Sequence, residues 1–97
     1  MRPVLHGDVA ATACALFAVA PQARAGLLRR ILAEAEGADQ FRRATGRAHW
    51  KWGNGSLMAA AMAHPRRREP FLDNPEYCCC MVQVFQALAD RAQGLDA

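Results

Sequence analysis

An almost wholly apolar segment near the start of the chain most constrains the fold. Within residues 9–19 the only polar side chain is Thr12, so a helix formed there is apolar nearly all round and must be covered. Asp8 precedes the segment and is a suitable N-cap. We therefore expect a first helix over residues 9–19, covered either by the rest of the chain or by a second copy at a homodimer interface.

Start and stop signals for three more helices follow along the chain. They predict helices over residues 22–45, begun near Pro21 and ended by Gly46; over residues 57–63, capped by Ser56; and over residues 75–93, capped by Asn74. The spacing of apolar residues in the final helix predicts a buried face formed by Tyr77, Met81, Val84, Phe85, Leu88 and Ala92.

The sequence contains no alternating apolar and polar run long enough for a strand. A chain of 97 residues and 10.6 kDa is the size of one domain. The sequence therefore predicts an all-α fold: residues 1–97 form a single helical domain, a compact bundle of three or four helices joined by two basic loops.

Positive charge is concentrated in the middle of the chain. Residues 42–68 contain seven Lys and Arg residues and no Asp or Glu, whereas the remaining residues hold five bases and nine acids. Such a segment attracts phosphate groups or acidic protein surfaces. We expect the two basic loops, residues 42–52 and 64–70, to come together as one outward patch.

Aromatic rings lie among these basic residues. The candidate partner-binding residues are Arg42, Arg43, Arg47, His49, Trp50, Lys51, Trp52, Arg66, Arg67 and Arg68. Arginine suits bidentate contacts to the carboxylates of an acidic protein partner, and basic side chains interleaved with aromatic rings can also neutralise phosphates and stack on unpaired bases. A third interpretation places at least one tryptophan in the core, with the arginines solvated around it.

The cysteines and the first 25 residues bear on the cellular compartment. The run at positions 78–80 is unlike the spaced cysteines of a secreted disulfide framework, so we expect reduced thiols and a cytoplasmic protein. An apolar stretch followed by Ala23-Arg24-Ala25 imitates a secretory signal, but Asp8 at its edge argues against one; a cleaved signal stays an open alternative. The stretch is shorter than the roughly 20 residues that span a bilayer, so no membrane span is expected.

The patterns of known catalytic and metal sites are missing from the sequence. His6, His49, His64 and the cysteines do not have the spacing of structural zinc ligands, and Ser56 lacks the sequence of a nucleophile elbow. We therefore expect no metal, no cofactor and no enzymatic activity. Cys79 heads a polar row of the final helix, so it is predicted to be the most exposed thiol and the candidate reactive one.

Two stretches, HGDVAATACALFAVAPQARA and TGRAHWKWGNGSLMAAA, resemble small proteins of unassigned function encoded in alphaproteobacteria of the Rhodobacter type. The resemblance covers most of the chain and implies a bacterial helical protein. It carries over no activity, cofactor or site residue.

Overall fold

A computed structural model describes residues 1–94 as four α-helices, with no strand in that range. The helices are α1 (His6–Phe17), α2 (Arg24–Thr45), which a 3₁₀ turn at Pro21–Ala23 precedes, α3 (Leu57–Ala61) and α4 (Pro75–Ala92). All four contribute to one hydrophobic core. The predicted all-α bundle is therefore confirmed, and its helix ends differ from the predicted ones by a few residues.

Helix α1 lies in the centre of the bundle, between α3 and α4 and also against α2. Most of its residues are buried, among them Val9, Leu16 and Phe17. The apolar segment is thus covered within one chain, and α1 presents no large exposed apolar surface for the homodimer interface that we considered for it. Residues 1–25 include this core helix, so cleavage after Ala25 would remove the centre of the bundle.

The ends of α1 differ from those predicted from the sequence. The helix begins at His6, three residues before the predicted start, because Asp8 caps from inside the first turn: its carboxylate accepts from Leu5 N at 2.8 Å. The same carboxylate accepts from Met58 N at 2.8 Å, which ties α1 to the start of α3. The helix ends at Phe17 rather than residue 19. Ala20, the residue before Pro21, is extended with a ψ of 149°, as the proline requires.

The other helices end close to the predicted residues. Gly46 terminates α2 with a φ of +75°, and Ser56 caps α3 by accepting from Ala59 N at 3.1 Å. Asn74 caps α4 by accepting from Tyr77 N at 3.0 Å. Helix α3 ends at Ala61 instead of residue 63.

Helix α4 is rotated relative to the predicted orientation. Its fully buried residues are Tyr77, Cys80 and Val84, whereas Phe85 and Ala92 are exposed. The prediction that Phe85 and Ala92 belong to the buried face was therefore wrong. Apolar residues occupy almost every side of this helix, so their spacing alone does not determine which side meets the core.

No helix within residues 1–94 combines the length and the apolar character that a bilayer crossing requires.

Candidate functional site

A tight hairpin follows α2 and holds both tryptophans. His49 N donates to Gly53 O at 2.7 Å, and Gly53 N donates to His49 O at 3.0 Å, so residues 50–52 form a three-residue loop. Gly53 has a φ of +84°, the left-handed conformation that such loops place at a glycine. The result is an ordered projection, which we call the hairpin tip (residues 49–53).

His49 organises the side chains of the hairpin tip. Its Nδ1 accepts from both Lys51 N and Trp52 N at 3.1 Å. Its ring lies nearly parallel to that of Trp52, with centroids 4.5 Å apart, and to that of Trp50 at 5.7 Å. The ring of Phe41 meets the imidazole edge-on at 5.2 Å. One histidine therefore fixes the backbone and the rings of the tip together.

The two tryptophans have different environments. Trp52 is half-buried and packs over α2 at Gly37, where an added Cβ would lie 3.5 Å from the indole. Trp50 is 85% exposed. Neither tryptophan belongs to the hydrophobic core, so the interpretation that places one there was wrong. Trp52 packs on the surface of α2, and Trp50 remains accessible to a partner.

The arginines at the end of α2 are tied to a buried carboxylate. Asp39 is fully buried and lies 2.8 Å from Arg42 and 2.9 Å from Arg43. The hydrogen bonds from Arg42 and from the amino terminus of Met1 lower the pKa of Asp39 to about 2. Part of the positive charge that the sequence assigns to this region is therefore compensated inside the protein.

Arg47 and Lys51 are exposed, and unlike Arg42 and Arg43 they have no ion-pair partner within residues 1–94. They flank the exposed Trp50 in the chain. The uncompensated positive charge of this region thus lies at and beside the hairpin tip.

The second basic loop packs along α1. His64 Nε2 lies 2.6 Å from Glu34 Oε1 in the middle of α2. Arg67 N donates to Cys14 O at 3.2 Å, and the Arg67 guanidinium lies 3.9 Å from the centre of the Phe17 ring. Arg66 and Arg68 are exposed, without ion-pair partners in the described part of the chain.

The two basic loops contact α2 over much of its length. His64 lies at Glu34, one turn from Gly37, on which Trp52 packs, whereas Arg67 lies towards the start of the helix. Arg67 covers Phe17, beside the Leu16 carbonyl that accepts from Arg24 at the start of α2. Arg42 lies at the other end of that helix, about 27 Å further along its axis at 1.5 Å per residue. Arg67 is thus held at Phe17, away from Arg42. A single patch that joins Arg66 and Arg68 to the hairpin tip stays a prediction.

The thiols follow the expected order of exposure. Cys79 is exposed, Cys78 is half-buried, and Cys14 and Cys80 are buried. Burial raises the pKa values of Cys14 and Cys80. The prediction that Cys79 is the most exposed thiol is confirmed, and its reactivity stays a prediction. Within residues 1–94, no three His, Cys, Asp or Glu side chains lie close enough together to hold a metal ion.

Sequence reasoning missed two contributors to this site. The spacing of Asp39 three and four residues before Arg42 and Arg43 is the signature of helical ion pairs, and it could have shown that these charges are compensated. The second contributor is Phe41, which is 38% exposed and whose ring contacts that of His49.

The fold and the site together define a small all-α protein with an exposed aromatic and basic hairpin. The chain belongs to the family described as Domain of unknown function (DUF7742), whose model matches residues 2–88. No curated protein and no solved structure shows significant similarity to this chain. Family membership agrees with the resemblance noted above, and the bacterial lineage stays a prediction.

Proposed function

We propose that this protein is a non-enzymatic, cytoplasmic interaction module, an adaptor or regulator that presents its hairpin tip to an acidic protein partner. The observation that carries the proposal is Trp50, which is 85% exposed on a hairpin closed by two backbone hydrogen bonds. A large ring held in one position loses little conformational freedom on binding. Tryptophan is also among the residues that contribute most to protein interfaces.

The charges around Trp50 favour an acidic partner. Lys51 and Arg47 are exposed and lack ion-pair partners within the described residues. An arginine can hold a carboxylate through two parallel hydrogen bonds. The pair Arg42–Arg43, with Asp39 already bound, adds a weaker positive field from the end of α2. In this proposal Arg66 and Arg68 are auxiliary, because their neighbour Arg67 is held against Phe17 and not at the hairpin tip.

The same tip supports a second candidate function, the binding of single-stranded nucleic acid. The exposed ring of Trp50 offers a face on which a base can stack. The lysine and arginine beside it can neutralise phosphates. This alternative uses the same residues on a different partner, so experiment must separate the two.

Substitutions at the tip test the first proposal. The purified chain is immobilised on a resin and exposed to a lysate of its source organism. It should retain a partner that mass spectrometry identifies. Trp50→Ala and Lys51→Glu should each weaken binding of that purified partner at least about tenfold. Met62→Ala, at a side chain that is 53% exposed elsewhere on the protein, is the matched control and should bind as the wild type does. Equal binding by Trp50→Ala would rule out the tip as the interface.

A salt titration separates the two candidates. A fluorescent single-stranded oligonucleotide is added to the protein at low salt, and anisotropy gives its affinity. If four basic side chains contact phosphates, log affinity should fall against log salt with a slope of about −3. Binding with such a slope, weakened in Trp50→Ala because the stacking ring is lost, would replace the acidic protein partner by nucleic acid. Absence of binding at low salt would exclude the second candidate.

A further inference from the structure

Helix α4 has an exposed apolar face opposite the one that packs in the core. Cys78, Val82, Phe85 and Ala89 follow one another at intervals of four, three and four residues, so they form one stripe along the helix. Val82 is 65% exposed and Phe85 is 50% exposed.

The preceding loop extends this stripe. The Cys78 thiol donates to Leu72 O at 2.7 Å, which places the loop at the start of the stripe. Phe71 is 86% exposed and Leu72 is 69% exposed. We call the surface formed by Phe71, Leu72, Cys78, Val82, Phe85 and Ala89 the α4 apolar face.

This part of the helix carries no charge. Residues 77–89 contain no Asp, Glu, Lys or Arg, although one side of the segment faces water. Helices at a protein surface normally place charged side chains on that side, whereas here the polar residues Gln83 and Gln86 are uncharged. Helix α4 is therefore apolar on two sides, one covered by the core and one uncovered in the single chain.

The absence of charge indicates what covers the face. A two-fold symmetric contact places each surface against its own copy, so a charged surface would meet a like charge there. An uncharged surface avoids this repulsion. It offers no counter-charge to an acidic or basic partner, and α4 lacks the row of Lys and Arg with which amphipathic helices hold anionic membranes. Its basic residue, Arg91, bonds to Glu36 at 2.9 Å.

The spacing and the area also fit a second copy. Apolar residues that recur at alternating intervals of three and four positions form the pattern with which two helices interlock their side chains. Covering Phe71, Leu72, Val82 and Phe85 removes about 500 Å² of surface per chain, or on the order of 1,000 Å² for two copies. That area is near the lower limit for a specific protein interface.

We propose that the α4 apolar face binds the same face of a second copy, so that the protein is a symmetric dimer in solution. The interface is separate from α1, which is covered within one chain. Because the area is small, the dissociation constant is expected in the range of about 1–100 μM.

Sedimentation velocity on the full chain tests the proposal. Between about 5 and 500 μM, the wild-type chain should pass from monomer to dimer. Val82→Glu places one charge from each copy in the interface and should weaken dimerisation at least about 100-fold. Met62→Glu, which changes an exposed apolar residue outside the face, should dimerise like the wild type. Circular dichroism should show unchanged helix content in both variants.

Three results would overturn the proposal. The first is a wild-type chain that stays monomeric over the whole concentration range. The second is a Val82→Glu chain that dimerises as strongly as the Met62→Glu chain. The third is a monomer that binds vesicles of phosphatidylserine and phosphatidylcholine and loses this binding in Val82→Glu, since the occupant would then be a membrane.

Discussion

Arg42 donates a 2.8 Å hydrogen bond to Asp39, a fully buried carboxylate one turn before it in α2. The pair links the candidate surface to the stability of the fold. Arg43 and the amino terminus of Met1 contact the same carboxylate at 2.9 and 3.1 Å. Changes to Asp39 should therefore affect both the stability of the bundle and the positive charge near the hairpin tip.

The low pKa of Asp39 predicts how stability changes with pH. The hydrogen bond from Arg42, followed by that from the Met1 amine, lowers the pKa to about 2 in the folded chain, against about 3.9 in an unfolded chain. The ionised form therefore stabilises the fold above about pH 4, and this contribution is lost as pH falls towards 2. We expect the melting temperature of the wild type to exceed that of Asp39→Asn at neutral pH.

The difference between the two chains should shrink between about pH 4 and pH 2. Thermal melts followed by circular dichroism across that range provide the measurement. Because both chains share every other carboxylate, the difference between their melting temperatures at each pH reports on Asp39 alone. A difference that is constant with pH would contradict the assigned pKa.

Gly55 is predicted to tolerate no larger residue. Its φ is +93°, and an added Cβ would lie 2.8 Å from the Asp39 Cα. Both backbone strain and the steric clash should destabilise Gly55→Ala, by roughly 2–4 kcal/mol together. Gly46 has a φ of +75° with no atom within 4 Å of an added Cβ, so Gly46→Ala should lose only about 1 kcal/mol. Urea denaturation measures the free energy of unfolding of both variants. Equal losses in Gly55→Ala and Gly46→Ala would show that the close approach to Asp39 contributes nothing.

Local signals made much of the fold predictable. Gly46, Ser56 and Asn74 act through their own backbone or a neighbouring N–H group, so their roles can be read from the sequence. The early start of α1 was missed because Asp8 caps from within the first turn. The orientation of α4 was missed because apolar residues occupy most of its sides, and only contacts with distant residues decide whether Cys80 or Phe85 faces the core.

The candidate site was predictable in composition but not in arrangement. The sequence shows that basic and aromatic residues are concentrated between residues 42 and 68. It does not show that Gly53 closes a hairpin, that Trp52 packs on Gly37, or that Arg67 turns towards Phe17. These contacts join residues far apart in the chain or depend on φ angles, and they determine which side chains remain free for a partner.

Arg67 is predicted to stabilise the fold, unlike its neighbour Arg68. Its guanidinium lies 3.9 Å from the centre of the buried Phe17 ring, a cation–π contact worth about 0.5–1 kcal/mol. Arg67→Ala should lower the free energy of unfolding by about that amount. Arg68→Ala, at an exposed residue without an ion pair in the described chain, should stay within about 0.5 kcal/mol of the wild type. Urea denaturation compares them, and a larger loss for Arg68→Ala would contradict this assignment.

The four thiols are predicted to react with iodoacetamide in the order of their exposure. Cys79 should be modified first at about pH 8, because a thiol reacts as its thiolate and this one is accessible to the reagent. Cys78 should follow, since it is half-buried and its S–H bonds to Leu72 O. Burial raises the pKa values of Cys14 and Cys80, so these two should react only as the chain unfolds.

Mass spectrometry of peptides from samples quenched at successive times can follow each cysteine separately. A sample in about 6 M guanidinium chloride is the control, and all four thiols should react there at similar rates because unfolding removes the differences in burial. If Cys78 reacts before Cys79 in the native protein, the assigned rotation of α4 is wrong. Cys78 lies on the same stripe as Val82 and Phe85, so that result would turn this stripe further towards solvent and would leave the α4 apolar face exposed. The labelling experiment therefore tests the rotation of the helix, and sedimentation tests the dimer.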